Sequence, residues 1–383
     1  MKVVIKGGSF VTPYGKFETP VLLIENGRVS DMSVMGNGLR PDTVLDAAGL
    51  TVYPGFIDVH NHGAIGVDVN EADAEALLRV GEYLARCGVT AWLPTLVPDS
   101  DETYARVIGE IDQVMEEQKD RRTAQVLGVH YEGVFANEKM CGALRPEYFK
   151  KFTGPEVAAL PRPKHGVCMT TFAPEVDGGI DLVRELVRQD WIPSIGHTKA
   201  DFATLDAAFD NGARHITHFF NAMTGVHHRD LGVAGWGLAK EGVTFDIIAD
   251  GIHVDRQMLS LACRSKGVDN VSLISDSVAP TGLGDGEFEL WGETISVENG
   301  RTRNERGSIA GSVITMRDGV NNVLGLGFSE SDVASMASMN PARLIGVDTL
   351  AGSIEPGKRA DLVALDESGE VRWTMIGGRM VES

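Results

Sequence analysis

Eight apolar runs of strand length, alternating with helical segments, constrain the fold of this chain most. They read GFIDVH, VTAWLPT, QVLGVHYE, GVCMTTFAP, IPSIGHT, HITHFFN, VTFDIIADG and VSLISDS. Segments such as EADAEALLRVGEYLARCG separate them and carry a helical pattern. This alternation is typical of βαβ units with parallel strands, and eight is the number of strands that closes a barrel. The predicted fold class is therefore α/β, with a (β/α)8 TIM-type barrel.

Both chain ends have a different pattern. Residues 1–52 consist of short alternating segments punctuated by Gly, Asn and Pro, and residues 346–383 return to strands and turns. We therefore expect the two ends to pair in one small β-sandwich beside a barrel formed by residues 53–345. A hairpin pattern near residues 286–306, with Glu-Asn-Gly as its turn, predicts a β insertion that extends toward the small domain.

Charge and hydropathy exclude several classes of partner. The chain has 54 acidic and 35 basic residues and a net charge of -19, so a nucleic acid or an anionic membrane would be repelled on average. The N-terminal MKVVIKGGSF lacks the apolar core of a signal peptide, and no segment approaches about 18 uninterrupted apolar residues. We expect a cytoplasmic protein. The four cysteines lack CxxC spacing, so neither disulfides nor a structural zinc site is expected.

Histidines and carboxylates stand where the predicted strands end. In a barrel of this kind the C-terminal strand ends and the following loops build the active site, so these side chains should converge. They follow the first, third, fifth, sixth and eighth runs and are His60, His62, Glu132, His197, His218 and Asp276. Four imidazoles and two carboxylates suit one or two divalent ions of the zinc type. One such histidine alone would more often be structural, but the whole set favours a metal site.

The spacing of His60 and His62 has a mechanical basis. Residues i and i+2 of a strand project from the same face, so both rings can reach one ion from inside the barrel. The two oxygens of Glu132 can bridge two ions. A divalent ion lowers the pKa of a bound water from about 15.7 toward about 7, and Asp276 is expected both to coordinate a metal and to accept the proton.

Three other histidines receive different predictions. His130 lies on the same strand face as Glu132 and is either a neighbour of the metal ligands or an ordinary packed residue. His215 precedes His218 by three residues, which predicts the opposite strand face and a position outside the barrel. His165 is expected in a surface loop.

With these residues in place, the chain resembles the amidohydrolase superfamily and, within it, the N-acetylglucosamine-6-phosphate deacetylase family. The resemblance extends over nearly the full length. Its motifs are PGFIDVHNHG, GVHYEGVF, GHTKA, THFFNAM, ADGIHV, LISDSVAPTG, IAGSVITM, NPARLIG and GSIEPGKRADLVALD. The segments THFFNAM and ADGIHV are similar to the deacetylase branch, whereas the closing segments are shared more widely.

The resemblance implies a metal-dependent hydrolase that converts N-acetylglucosamine 6-phosphate to glucosamine 6-phosphate and acetate. It assigns Glu132, His197 and His218 as principal metal ligands and Asp276 as the general acid and base. His60 and His62 match members that hold a second ion. Zinc is the expected metal, and iron, manganese and cobalt are compatible with the same ligands.

The resemblance also implies how the phosphosugar is bound. Asn221, Ala222, Arg229 and His253 match positions that bind the sugar phosphate. Residues Ala310, Gly311 and Ser312 lie in a loop expected near the substrate. In the family the arginine reaches the active site of a neighbouring subunit, so a homodimer is implied, with Arg229 crossing between subunits.

One position departs from the family pattern. Family members carry a histidine in a KGAH motif, and the aligned residue here is Leu144, with Cys141 in place of the lysine and Val134 in place of a proline upstream. Leucine cannot donate a hydrogen bond to a developing oxyanion. Either the metal alone polarises the carbonyl, or Arg145 substitutes, or the substrate differs.

Leu144 therefore keeps an alternative substrate open, namely N-acetylgalactosamine 6-phosphate or another acylated amino sugar. A cyclic amidohydrolase or a deaminase of the wider superfamily is a further alternative, which FNAM and GIHV disfavour. A metal-stabilised scaffold without activity is least favoured because Asp276 accompanies the ligands.

Overall fold

Eight parallel strands form a barrel, and they coincide with the eight apolar runs. The computed structural model describes residues 1–18, 21–32 and 40–382. The barrel strands are Phe56–Asn61, Val89–Leu96, Gly128–Phe135, Val167–Phe172, Trp191–Ile195, His215–Ile216, Thr244–Ile248 and Val271–Ile274. Each pairs in parallel with the next along the chain, and a short strand, Gln125–Val126, precedes the third. The predicted (β/α)8 barrel is confirmed.

The barrel closes between its first and eighth strands just beyond their ends. The Asp276 N–H donates to the His60 carbonyl at 3.0 Å, and the His62 N–H donates to the Ser277 carbonyl at 2.8 Å. Because these bonds join His60 to Asp276 and His62 to the neighbouring Ser277, the closing seam itself positions part of the polar set.

Helices cover the outside of the barrel. The α-helices are Ala74–Arg86, Asp101–Glu117, Glu156–Ala159, Gly179–Arg188, Phe202–Asp210, Gly232–Ala239, Arg256–Lys266, Met316–Gly325, Glu330–Ala334 and Asn340–Leu344. Shorter turns of 3-10 helix are Gln118–Asp120, Glu138–Met140, Pro146–Tyr148 and Val268–Asn270, and Ser335–Met339 is π-helical. Side-chain caps begin several of these helices; Asp73, for example, accepts the Ala76 N–H at 2.7 Å. Among the described residues, no helix is long and apolar enough to cross a membrane.

A second β-rich unit is built from both chain ends. One sheet contains Lys2–Lys6, Val21–Glu25, Arg28–Asp31 and Thr43–Asp46, and the other contains Ser9–Thr12, Gly15–Glu18, Thr51–Pro54, Leu362–Leu365, Val371–Ile376 and Arg379–Met380. The ends meet where Val52 pairs antiparallel with Ala364. Both sheets contribute to one apolar core, with Ile5 from one and Leu362 from the other.

The domain boundaries proposed from the sequence stay predictions. Those are 1–52 and 346–383 for the small domain and 53–345 for the barrel. Within the first of these segments, residues 19–20 and 33–39 lie outside the described residues. A short hairpin, Gly63–Ala64 with Val67–Asp68, follows the first barrel strand.

The insertion forms its own three-stranded antiparallel sheet from Gly286–Leu290, Glu293–Glu298 and Arg301–Arg303. Its Asn299 and Gly300 both have positive φ, as a two-residue hairpin turn requires. The prediction that it extends toward the small domain is wrong. Its apolar residues Trp291 and Ile295 pack instead with Val97 and Val278 at the C-terminal end of the barrel, because that is where they can be buried.

Candidate metal centre and substrate cavity

Five of the six predicted strand-end residues form two overlapping groups of possible metal ligands. One group is His60, His62 and Glu132, the other is Glu132, His197 and His218, and all five are buried. Within each group the ligand atoms lie within 4.8 Å of one another. Glu132 belongs to both groups, so its carboxylate stands between the two pairs of rings.

The distances show how Glu132 divides its oxygens. Its Oε1 lies 2.9 Å from His218 Nε2 and 3.0 Å from His197 Nε2. Its Oε2 lies 3.3 Å from His62 Nε2, while His60 Nε2 is 3.7 Å from Oε1. One oxygen therefore faces one histidine pair and the other oxygen faces His62.

Asp276 completes the set from the eighth strand. Its Oδ1 lies 3.4 Å from His60 Nε2 and 3.3 Å from His62 Nε2. All six predicted residues thus meet at one end of the barrel, with Asp276 on the side of His60 and His62.

Three of these side chains leave the backbone at unusual dihedral angles. His197, His218 and Asp276 have φ of 47°, 33° and 50°, in the left-handed region that is costly for residues with a side chain. Each lies one or two residues beyond the end of its strand. Strain of this kind concentrates at functional sites because the surrounding structure must hold it.

Hydrogen bonds on the far side of two rings fix their tautomers. His62 Nδ1 lies 3.1 Å from the Thr95 carbonyl, and His197 Nδ1 lies 2.8 Å from the Met140 carbonyl. A carbonyl only accepts, so each Nδ1 carries a proton, and Nε2 is the atom whose lone pair faces Glu132 when the ring is neutral. This is the orientation in which imidazole binds a metal.

The carboxylates and imidazoles of the cluster shift one another's pKa values. Burial alone would raise the pKa of Glu132, but the rings of His197, His218 and His62 hold it well below its usual range. Burial lowers the pKa of His62 and the facing Asp276 and Glu132 raise it, the net result being about 10. In the same way Glu132 brings the pKa of His218 to about 9 against burial.

The same cluster fits a divalent cation. His197 Nε2 and Glu132 Oε1 face each other 3.0 Å apart. Two acceptors this close repel unless a proton or a cation lies between them. The His60 and His62 Nε2 atoms are also only 3.1 Å apart, as are those of His197 and His218. Imidazole and carboxylate donors in this arrangement suit one or two ions of the zinc type.

The remaining histidines divide into neighbours of the cluster and a surface residue. His130 is buried, with Nδ1 3.1 Å from the Val59 carbonyl and Nε2 2.8 Å from Thr171 Oγ1, and its ring packs against His60. It belongs to neither ligand group. His165 is exposed, as expected.

His215 corrects an expectation. It does not pack outside the barrel as an isolated ring: it is buried, and its Nε2 lies 3.0 Å from Asp246 Oδ2. The other oxygen of Asp246 accepts the backbone N–H of His218. His215 therefore belongs to a buried polar network directly behind a ligand candidate.

A cavity of about 300 Å³ opens above the cluster. Besides the strand-end residues His62, Glu132, His197, His218 and Asp276, its wall includes Asn221, Ala222, His253 and Gly311. These four were expected to bind substrate. Arg229, Ala310 and Ser312 are not among the described residues that line it.

Those last three residues have other surroundings. Arg229 is exposed on a surface loop. Ala310 is buried in an apolar cluster, and the Ser312 hydroxyl donates to the Ser275 carbonyl at 2.5 Å. Ala310 and Ser312 therefore support the cavity wall from behind rather than facing a ligand.

Two further residues contact the side chains of the cavity, although neither was identified from the sequence. Asp250 Oδ2 lies 2.6 Å from His253 Nδ1, and its Oδ1 accepts the N–H groups of Ile252 and His253 at 2.8 Å each. Trp291, from the insertion, lies edge-on to His62 with ring centroids 5.4 Å apart. The Asp in ADGIHV, three residues before the histidine, was a usable signal for Asp250, whereas nothing local marks Trp291.

Comparison with known proteins gives a consistent result. The Amidohydrolase family model matches residues 51–381. N-acetylgalactosamine-6-phosphate deacetylase of Escherichia coli O157:H7 is 33% identical over 99% of this chain and 99% of its own length. N-acetylglucosamine-6-phosphate deacetylase of Bacillus subtilis (strain 168) is 32% identical, covering 99% of this chain and 96% of its own length.

A solved structure agrees along the whole chain. The crystal structure of N-acetylglucosamine-6-phosphate deacetylase from Thermotoga maritima has a TM-score of 0.88 at 31% identity and covers 99% of both chains. With the family model matching from the end of the small N-terminal segment almost to the C-terminus, the chain belongs to the amidohydrolase family.

Proposed function

We propose that the protein hydrolyses the acetamide of an N-acetylhexosamine 6-phosphate, with N-acetylglucosamine 6-phosphate as its principal substrate. The amide C–N bond breaks, water supplies the new oxygen of acetate, and glucosamine 6-phosphate is released. The observation that carries this proposal is the position of Asp276, whose Oδ1 lies 3.3 Å from His62 Nε2 at the floor of the cavity. The deacetylase relatives, similar along the whole chain, support the substrate class.

The proposed ligands follow the two groups of side chains. Glu132, His197 and His218 would hold one divalent ion, and His60 and His62 together with Glu132 would hold a second. Zinc is the proposed metal, with iron, manganese and cobalt as alternatives for the same donors. When bound, such an ion polarises the carbonyl and lowers the pKa of a water toward about 7.

Asp276 acts as general base and then as general acid. It takes a proton from the attacking water and returns it to the nitrogen that leaves with the sugar. Its carboxylate is buried beside His60 and His62, so the proton stays within the cavity between the two steps. Met140 and Thr95 hold the rings of His197 and His62 in the orientation that binding requires.

Asn221 and His253 bind the sugar phosphate, and Ala222 and Gly311 leave room for it. Asp250 fixes the His253 ring through Nδ1, so Nε2 is the atom available to the ligand. Arg229 contributes from a neighbouring subunit, which makes the protein a homodimer. Its exposure and the two exposed apolar residues beside it, Val226 at 50% and Leu231 at 42%, support a subunit contact there.

N-acetylgalactosamine 6-phosphate is the second candidate substrate. Leu144 keeps it open, because a side chain without a donor lines the cavity where the family pattern has a histidine. The Escherichia coli relative, which has this activity by name, is as similar as the glucosamine enzymes. The cytoplasmic location remains a prediction from the sequence.

The test is acetate release by metal-loaded protein on three compounds. They are N-acetylglucosamine 6-phosphate, its galacto epimer and unphosphorylated N-acetylglucosamine. We expect the first to have the highest kcat/KM and the unphosphorylated sugar the lowest. A higher kcat/KM for the galacto epimer would make N-acetylgalactosamine 6-phosphate the principal substrate. Absence of acetate release from both phosphorylated sugars would contradict the proposal.

A further inference from the structure

One side of the cavity is made of hydrocarbon. Leu144 and Trp291 line it and belong to one apolar cluster, against which Ala143 packs, whereas Asn221 and His253 line the cavity outside that cluster. Leu144 is 3% exposed and packs in an apolar cluster with Val97, Val278, Trp291 and Ala310. This apolar side lies next to His62, directly beside the reacting end of the cavity.

The backbone beside Glu132 makes room for Leu144. Gly133 has φ of +74°, and a Cβ built there would lie 2.4 Å from Leu144 Cδ1. Only a residue without a side chain permits this approach. Leu144 is therefore held tightly against the strand that carries Glu132, with its hydrocarbon facing the cavity.

Trp291 occupies a backbone position that does not suit it. Leu290 pairs with Glu293, so Trp291 and Gly292 form a two-residue hairpin turn, with φ of 54° and 79°. Such turns favour Asn, Asp or Gly, and a bulky residue at positive φ is unfavourable. In this turn the indole lies edge-on to His62. Observed strain of this kind indicates a functional role.

The indole has its polar atom occupied. Trp291 Nε1 donates to Asp68 Oδ1 at 3.4 Å. The indole therefore presents only its ring carbons to the cavity. Together with Leu144 it forms a wall in which neither side chain has a free donor or acceptor.

We propose that Leu144 and Trp291 form the pocket for the acyl group and make the protein selective for amino sugar 6-phosphates with apolar N-acyl chains. This inference rests on the proposed function. The amide carbon must lie at the cluster near Asp276, and the phosphosugar is bound through Asn221 and His253. The acyl chain then extends to the remaining side, where it contacts hydrocarbon only.

The sharpest test compares two acyl groups of equal size. N-propionyl and N-glycolyl glucosamine 6-phosphate differ by a methyl against a hydroxyl at the chain end. In an apolar pocket the glycolyl hydroxyl loses its hydrogen bonds to water and finds no hydrogen-bond partner in the protein. We expect kcat/KM for the propionyl compound to exceed that for the glycolyl compound about 10- to 100-fold. Both are measured on one metal-loaded preparation, so metal content cancels from the ratio.

Two variants and one control assign the effect to the wall. Leu144→His adds a polar group and Trp291→Ala removes apolar surface, so each should lower the propionyl/glycolyl ratio several-fold without changing the gluco/galacto ratio. Ile295→Val is the control: Ile295 belongs to the same apolar cluster but does not line the cavity, and the ratio should stay unchanged. If one wall variant fails to fold, the other and the wild-type ratio still decide.

Each outcome has a distinct meaning. A wild-type ratio near one, with both compounds hydrolysed, overturns the acyl pocket and leaves the deacetylase proposal intact. A changed gluco/galacto ratio in Leu144→His, with the acyl ratio unchanged, also overturns it, because Leu144 would then face the sugar. Absence of turnover on the acetyl, propionyl and glycolyl compounds alike would instead remove the proposed function, and the acyl pocket with it.

Discussion

Asp276 Oδ1 lies 3.3 Å from His62 Nε2, across the seam where the barrel closes. The two residues come from opposite ends of the barrel sequence, and the His62 N–H to Ser277 carbonyl bond of 2.8 Å holds their strands together. A carboxylate fixed this way is close enough to the candidate metal ligands to exchange a proton with a reacting water. It nevertheless belongs to neither ligand group. Its removal should therefore affect turnover more than metal binding.

The Asp276→Asn variant tests that separation. We expect kcat to fall about 10²- to 10⁴-fold, because the amide cannot accept the proton, while the metal content stays within the wild-type range. Acetate release and elemental analysis on the same sample measure both. Full turnover by a metal-loaded Asp276→Asn protein would show that another group moves the proton.

Glu132→Gln should have the opposite effect. Glu132 faces both histidine pairs, and a neutral amide removes the negative charge that both would share. We expect the bound metal to fall by at least one equivalent per chain after dialysis, with acetate release lost in parallel. Elemental analysis measures the stoichiometry, and Glu367→Gln, exposed in the small domain, is the control. Unchanged metal content in Glu132→Gln would exclude it as a ligand.

Metal affinity should rise with pH. In the metal-free chain the pKa of His62 is raised to about 10 and that of His218 to about 9, so both rings are protonated at pH 7. A ring binds a metal only as neutral imidazole, so binding must release these protons. The affinity therefore increases as pH rises from 7 and levels off above about 10. Titration calorimetry in buffers of different ionisation enthalpy counts the protons, and a count of zero at pH 7 would contradict the prediction.

Much of the site could be predicted from the alternation of side chains between the two faces of a strand. His60 and His62 point to one cluster because they are two residues apart at the end of a regular strand, Phe56–Asn61. The same rule failed for His215 and His218. Their strand has only two residues, His215–Ile216, and the chain turns at His218 with φ of 33°. An odd spacing predicts opposite faces only while the strand continues.

The contacts of Trp291 show a second limit of the sequence. Its partner His62 is more than two hundred positions away, and a hairpin from an insertion brings the two rings together. Periodicity predicts a hairpin pattern near residues 286–306, but neither the turn between Leu290 and Glu293 nor the surface on which the insertion packs. That surface depends on which end of the barrel has room for the apolar side chains, and only the assembled fold determines this.

Asp246→Ala should weaken both the fold and the metal site. Asp246 is fully buried, faces His215 through one oxygen and accepts the His218 N–H with the other. Its loss leaves two buried polar groups without partners, so we expect the free energy of unfolding to fall by about 1–3 kcal/mol per group. Because the His218 backbone is then no longer held at its strained φ, metal affinity should also fall about 10- to 100-fold.

Denaturant unfolding of the metal-free protein and competition with a chelator separate these two effects. Asp206→Ala is a matched control: Asp206 also accepts from two side chains, Trp236 and Lys240, but its side chain is half exposed. It should change stability by less than about 1 kcal/mol and leave metal affinity unaltered. If Asp246→Ala lowered stability with no change in metal affinity, Asp246 would be structural only, and the orientation of His218 would have to come from the strand itself.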